Sequence, residues 1–276
     1  MPVTDWGRLW RALASRDLMG DVQGEQEMVE RWRRMARRLD LGEDARADPL
    51  LEHLLRRLHP GMTVLDIGAG IGRWTLPIAR AVRQVTAVEP LAGMREILRE
   101  RAAAQEVGNL VLVEAPWMEA AVPPHDAVIA AHATYTTTDL LGFVRKMEAS
   151  ARRLCALALR MPAHDGIIGE LSQRVYGVWH DSPNFIVAYN LLLAAGYAPS
   201  VVIEPRSSRR WIDPTLDEAV LRARRHLHLA DASQDPAIRE TLSRRLEPVE
   251  GGFRWPDGMR SALVWWEVPP GGHPAR

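Results

Sequence analysis

Two acids and three glycines in this chain are spaced to hold a nucleotide-like ligand. In Thr63-Val-Leu-Asp-Ile-Gly-Ala-Gly-Ile-Gly72 an apolar run carries Asp66 near its end, and glycines follow at 68, 70 and 72. Val64 and Leu65 read as the end of a parallel strand, and the glycines let the backbone pass close to a ligand before a helix begins near Arg73. A second apolar run, Gln84-Val-Thr-Ala-Val-Glu-Pro90, ends in Glu89, 23 residues after Asp66. That interval is close to the roughly 20 residues that separate a glycine turn from a ribose-reading acid across one βαβ unit. A carboxylate placed there can accept both ribose hydroxyls. Alone, the turn would fit a plain strand-to-helix connection and Glu89 a solvated strand end; their joint spacing carries the reading.

The pattern also excludes ligands. A dinucleotide fingerprint needs Gly-x-Gly-x-x-Gly, whereas Arg73 stands where its third glycine belongs. No Gly-Lys-Ser or Gly-Lys-Thr follows, so no lysine is placed for β and γ phosphates. Asp66 beside a helix N-terminus would repel a pyrophosphate and favour a cationic ligand.

Val64 to Gly72 resembles motif I of the class I S-adenosylmethionine-dependent methyltransferases, and Val88-Glu89-Pro90 resembles their motif II. The likeness continues through Ala115-Pro116-Trp117 and Asp126-Ala-Val-Ile-Ala-Ala-His132, covering roughly residues 60 to 160. It implies a doubly wound, Rossmann-like α/β fold with a mostly parallel seven-stranded sheet and an antiparallel last strand. It also implies S-adenosylmethionine as cofactor. By this resemblance Gly68 and Gly70 hold the methionine part, Glu89 the ribose, and the segment after the third strand borders the adenine, with Trp117 as its aromatic. Asp66, Ala69, Pro90, Met94, Pro116 and His132 complete the expected cofactor set. The family often has an acid just before the third-strand aromatic, and here Pro116 occupies that place, so adenine recognition falls to backbone groups and packing on Trp117. As a lone loop tryptophan, Trp117 fits core packing equally well.

Methyl transfer from a sulfonium needs alignment and dehydration more than covalent help, with proximity supplying about 7–11 kcal/mol in the best cases. A general base is needed only for a protonated acceptor, and the candidates near the expected mouth are His132, Tyr135 and His180. His132 follows the fourth strand directly, although a histidine there can equally cap a loop. His180 adjoins Asp181, which can instead cap the helix after Ser182-Pro183. Tyr189 and Asn190 are further pocket candidates. No metal is expected: His226 and His228, two apart on a helix, face different ways. No Gly-x-Ser-x-Gly elbow for a hydrolase occurs.

These residues need a scaffold, and the alternation of apolar runs supplies one. Strands are expected at 62–66, 84–88, 109–114, 126–131 and 154–160, and helices at 72–82, 91–106 and 139–150, which is the pattern of a parallel sheet covered on both faces. The chain divides into an N-terminal helical cap at 1–58, a cofactor-binding core at 59–160, a helical lid insertion at 161–199, and a C-terminal part of the core at 200–276. That last part has strands at 200–204 and 261–268 and helices near 215–227 and 235–246. Trp265 and Trp266 on the last strand put one large ring on the outer face or against a neighbour, and a homodimer would supply one.

Acidic and basic residues balance at 35 each among 276, which argues against a nucleic-acid partner and for a small-molecule methyl acceptor. The run Arg31-Trp-Arg-Arg-Met-Ala-Arg-Arg38 is the one candidate basic patch, and its spacing also fits an amphipathic helix with Trp32, Met35 and Leu39 on one side. Neither a secretory signal nor an apolar run of about 18 residues is visible, so a cytoplasmic protein without membrane contact is expected. The single Cys155 lies in an apolar run and reads as a buried hydrophobe. The alternatives to small-molecule methylation are an RNA or protein methyltransferase and a cofactor-binding protein that does not turn over.

Overall fold

The computed structural model describes residues 4–18, 25–40, 48–162, 166–177, 182–205, 210–227, 229–257 and 260–269. Its centre is a seven-stranded sheet in the order β3-β2-β1-β4-β5-β10-β6, comprising β1 (Thr63–Ile67), β2 (Gln84–Val88), β3 (Leu110–Val113), β4 (His125–Ala131), β5 (Ala151–Arg160), β6 (Ser200–Ile203) and β10 (Ser261–Glu267). The first five run parallel, and β10 lies antiparallel between β5 and β6. The expected fold is therefore present. β1 is buried along its whole length, as a strand covered on both faces must be.

Helices α4 (Thr75–Ala81), α5 (Ala92–Ala104) and α6 (Leu140–Ala149) make the crossovers. The strand order reverses between β1 and β4, so the crevice beyond their carboxyl ends is the expected ligand position in an open sheet. Asp126 at the opposite end of β4 accepts from the Thr63 amide at 2.8 Å and its hydroxyl at 3.0 Å. That pair fixes the β1–β4 register, and with it the height of the two strand ends that form the crevice.

The helices before β1 wrap this core. In α1 (Trp6–Leu18), Trp10 is fully buried and donates its indole N–H to the Thr137 carbonyl at 2.8 Å. The arginine-rich α2 (Glu25–Asp40) lies on α5. Its Ala36 joins Ile71, Met94 and Ile97 in a buried cluster, and Arg33 pairs with Glu96 and Glu100. The run is thus a docked helix as the amphipathic reading expected, but the face differs: Ala36 and Trp32 pack inward, Met35 is exposed, and the Leu39 side chain lies outside the described residues. In α3 (Pro49–Leu55) Asp48 caps the first turn through the Leu51 amide and also accepts from Arg73 and the Trp74 indole.

The segment expected as a single lid divides between two places. α8 (Phe185–Ala194) packs against α1 in the main core, whereas α7 (Ile167–Tyr176) packs with α9 (Leu216–His226) and α10 (Asp235–Arg245) in a separate apolar cluster. Beside that cluster stands a three-stranded sheet, β7 (Arg210–Asp213), β9 (Gly252–Asp257) and β8 (Glu247–Val249), that the sequence pattern does not announce. Proline and glycine at 248, 251, 252 and 256 interrupt its alternation. The two tryptophans of β10 separate as alternation requires: Trp266 is buried against Tyr197, and Trp265 lies beneath His53 and Arg57. Cys155, midway along β5, is fully buried, and dehydration holds its thiol well above the usual range. Among the described residues no helix is long and apolar enough to cross a membrane.

Trp10 couples α1 to the loop after β4. Trp10→Ala is expected to lower unfolding free energy by about 3–5 kcal/mol, whereas Trp10→Phe, which keeps most of the ring, should lose only about 1–3 kcal/mol. Denaturant melts of both variants would check this ordering.

Candidate functional site

The glycine turn is a backbone cradle. Gly68, Gly70 and Gly72 all have positive φ, at 72°, 54° and 82°, a region that side chains disfavour. The Gly68 and Ala69 amides are spent on the Val88 carbonyl, at 2.8 and 3.3 Å. The reasons for glycine differ along the turn. A Cβ on Gly68 would lie 2.5 Å from that of Ala133, and one on Gly72 would lie 2.4 Å from Leu98. At Gly70, among the described residues beyond its two chain neighbours, no atom lies within 4 Å of that position. Internal packing explains the first and third glycines; open space lies over the second, which suits a ligand.

Glu89 closes the cradle from β2. It is 5% exposed, and its two oxygens accept from the Gly70 amide at 2.8 Å and the Leu91 amide at 3.0 Å. Burial pushes its pKa up, while those two amides and Arg95 pull the other way. Each carboxylate oxygen retains a second lone pair, the capacity that a ribose diol needs. Arg95 braces this strand end, donating to the carbonyls of Glu89 at 3.0 Å and Pro90 at 2.6 Å and pairing with Glu114 at 3.1 Å.

Glu114 was not anticipated. Val88 pairs with Val113 in the sheet, so Glu89 and Glu114 end adjacent strands at the same level. The sequence signal is the repeated Val-Glu ending of the second and third strands, which register makes neighbours. An acid thus stands two residues before Pro116, at the end of the third strand. Glu114 is exposed, and Arg99 and Arg95 hold its pKa below the usual range.

Asp66, Met94 and Trp117, all expected among the cofactor residues, are buried. Asp66 is 2% exposed, accepts from the Thr75 hydroxyl at 2.6 Å, and has its pKa pushed up to about 6, chiefly by dehydration, with the Glu89 charge adding to the rise. It stands behind the turn and not at its mouth. Met94 packs with Ile71 and Ile97 beneath the turn. Trp117 belongs to the main core: it is 6% exposed, packs against Phe143, donates to the Phe143 carbonyl at 3.3 Å and lies under the Lys146 ammonium. Its ring is held in that packing, the core alternative of the two that its sequence position left open. Pro90 and Pro116 are exposed, and Ala69 is buried.

On the other side of the crevice, His132 follows β4 with φ of 57°, an uncommon conformation for a non-glycine residue and one that marks local constraint. Its Nδ1 lies 2.7 Å from the Tyr135 hydroxyl and its Nε2 3.5 Å from the Ser261 hydroxyl. The ring keeps a solvent-exposed edge, yet the surrounding protein dehydrates it and Arg160 and Arg73 add positive potential, bringing its pKa down to about 4. The open edge tempers the dehydration, but both causes act in the same direction, so the ring is neutral at neutral pH. Tyr135 is 7% exposed and also accepts from the Arg160 amide at 2.9 Å. The structure thus brings His132 and Tyr135 together, with Tyr135 buried as a support. His180 lies outside the described residues, as does His228, and no group of three or more metal-ligating side chains occurs among the described residues. Tyr189 is turned to the Pro199 carbonyl, and Asn190 to the Ile186 carbonyl in its own helix.

Residues 64–153, which carry the turn and both strand-end acids, match the family model of a methyltransferase domain. That stretch, a third of the chain, is a methyltransferase domain. S-adenosylmethionine is the cofactor of this methyltransferase family, and the open space above Gly70 together with the lone pairs of Glu89 fits it. The methyltransferase fold is shared with the YcgJ protein of Bacillus subtilis, at 18% identity and a TM-score of 0.54 over 80% of this chain and 98% of that one. It is shared also with the magnesium protoporphyrin IX methyltransferase of Synechocystis PCC 6803 with bound SAH, at 13% identity and a TM-score of 0.51 over 92% and 99%. A curated relative, the 23S rRNA (uracil(1939)-C(5))-methyltransferase of Stenotrophomonas maltophilia, is 37% identical over 82 residues, 26% of this chain. That match spans only 18% of the relative's length.

Two outcomes follow for the methyltransferase turn. Gly70→Ala should cost about 1 kcal/mol of stability from its positive φ while weakening S-adenosylhomocysteine binding strongly; Gly68→Ala should destabilise the fold itself, as thermal melts beside calorimetric titrations would show. For Asp66, a folded-state pKa raised from 3.8 to about 6 means that the buried charge costs stability above pH 6 and that the cost disappears as pH falls toward 4. Asp66→Asn should therefore be more stable than the parent at pH 8 by up to about 3 kcal/mol, with the gain gone at pH 4, in denaturant melts across that range.

Proposed function

We propose that this methyltransferase methylates a small molecule held in the crevice between the glycine turn and the loop after β4. The observation that carries the reading is the Glu89 carboxylate clasping the Gly70 amide beneath open space. S-adenosylmethionine, when bound, supplies an electrophilic methyl group on a cationic sulfur. Glu89 fixes the ribose, Gly70 allows the close approach of the methionine part, and Glu114, ending the strand beside that of Glu89, offers a carboxylate for an adenine amine. Asp66 contributes through charge: it lowers the potential behind the turn, which favours a cation in front of it. His132, neutral at neutral pH, can take a proton from an acceptor or hydrogen-bond to it, with Tyr135 positioning its ring.

A small-molecule acceptor is supported by the fate of the arginine-rich helix, since α2 is docked on α5 and Arg33 is neutralised by two glutamates. The rRNA-methylating relative favours a second reading, an RNA acceptor, for which exposed Arg34 and Arg37 would be the phosphate contacts. A salt-dependent retention on rRNA that Arg34→Ala and Arg37→Ala abolish would establish the RNA reading.

Calorimetric titration tests the cofactor part directly. S-adenosylhomocysteine should bind and NAD should not, and Glu89→Gln should weaken the former by about tenfold to a hundredfold, the worth of a charged hydrogen bond. Preference for NAD would overturn the assignment.

A further inference from the structure

The acceptor side of the crevice carries a cation that no carboxylate among the described residues neutralises. Arg160 is the last residue of β5, and its guanidinium carbon sits 4.0 Å from the centre of the Tyr135 ring. Its backbone amide holds the Tyr135 hydroxyl, which in turn reaches His132 Nδ1. Among the described residues no ion pair joins the Arg160 side chain to an acid, whereas Arg73, the other cation acting on His132, is paired with Asp48 at 3.0 Å. Glu204, just past β6 on the far side of β10, accepts from the Ser261 amide at 3.1 Å. His132 Nε2 and the Ser261 hydroxyl lie 3.5 Å apart beside this group. Ala133, next to His132, is the residue a Cβ on Gly68 would strike, so the cluster adjoins the glycine turn.

A planar guanidinium stacked on an aromatic ring keeps its edge donors available and is geometrically matched to a two-oxygen anion. Solvent reaches the exposed His132 and the half-buried Arg160. From this arrangement, and resting on the methyltransferase reading above, we propose that the methyl acceptor is a small molecule bearing an oxyanion group, a carboxylate or a phosphate, which Arg160 binds with His132 and the Ser261 hydroxyl completing the pocket. Arg160 is then the residue that sets acceptor class. A single unneutralised cation beside a paired one suits one anionic group on a compact ligand better than the run of phosphates along an RNA strand.

His132 is a built-in reporter of this site. With the protein saturated with S-adenosylhomocysteine, its titration would be followed by NMR in sodium acetate, in inorganic phosphate and in chloride of equal ionic strength. An oxyanion seated on Arg160 should raise the His132 protonation constant by about tenfold over chloride, and the acetate and phosphate arms tell carboxylate from phosphate. In Arg160→Gln the response should vanish while S-adenosylhomocysteine affinity stays within about twofold; Arg160→Lys, which keeps the charge without the planar fork, should give a weaker response. No response in the parent protein, or an equal one in Arg160→Gln, overturns the proposal. So does a tRNA pool that moves His132 in Arg160→Gln as much as in the parent. Failure of the parent to bind S-adenosylhomocysteine would instead remove the methyltransferase reading itself.

Discussion

The structure depends on keeping two carboxylates, Asp66 and Glu89, at the ends of adjacent parallel strands with almost no water. Burial raises the pKa of both, and Glu89 adds to the rise at Asp66. Like charges in a dehydrated place are costly unless donors are arranged around them. The chain supplies those donors from its backbone and one hydroxyl: the Gly70 and Leu91 amides for Glu89, and Thr75 for Asp66. The positive-φ turn aims the Gly70 amide at Glu89, and the start of α5 supplies the Leu91 amide; the negative potential left over is what a cationic ligand relieves. Binding and stability are therefore opposed at this spot, as is common where a site is held ready for a charge it does not yet contain.

The second half of the crevice follows a different logic. Its groups are neutral or cationic, and its shape rests on the constrained His132 and on Tyr135, whose hydroxyl ties the end of β4 to the end of β5. Arg101 does the corresponding service on the cofactor side. It is 9% exposed, donates to the Ile71 carbonyl within the turn, and pairs with Asp40 of α2 at 2.9 Å. A helix far earlier in the chain is thereby linked to the turn through one guanidinium.

Much of this was legible in the sequence because the parallel strands are buried on both faces and read as uninterrupted apolar runs. The second strand, 84–88, is found at the residues expected, and the others shift by one to three residues at their ends. Glu89 was legible from spacing alone. What escaped depended on distance in space. Asp66 looked like a residue of the mouth, because a strand's last residues give no sign of whether the following turn folds over them. Trp117 offered equal grounds for core and ligand, and the Phe143 carbonyl from a later helix decided the matter. Glu114 needed the sheet register to become a neighbour of Glu89, and Arg160 needed the register of β10 and the loop after β4. The small sheet beside α9 escaped because its strands are short and broken by proline and glycine, and the division of α7 from α8 because both carry apolar faces that suit either partner.

The lone Cys155 gives the fold an internal clock. It sits midway along β5, hydrogen-bonded between β4 and β10, without solvent contact and with a thiol that resists ionisation. A thiol reagent cannot reach it while those three strands remain together, so the rate of its alkylation reports how often the centre of the sheet comes apart.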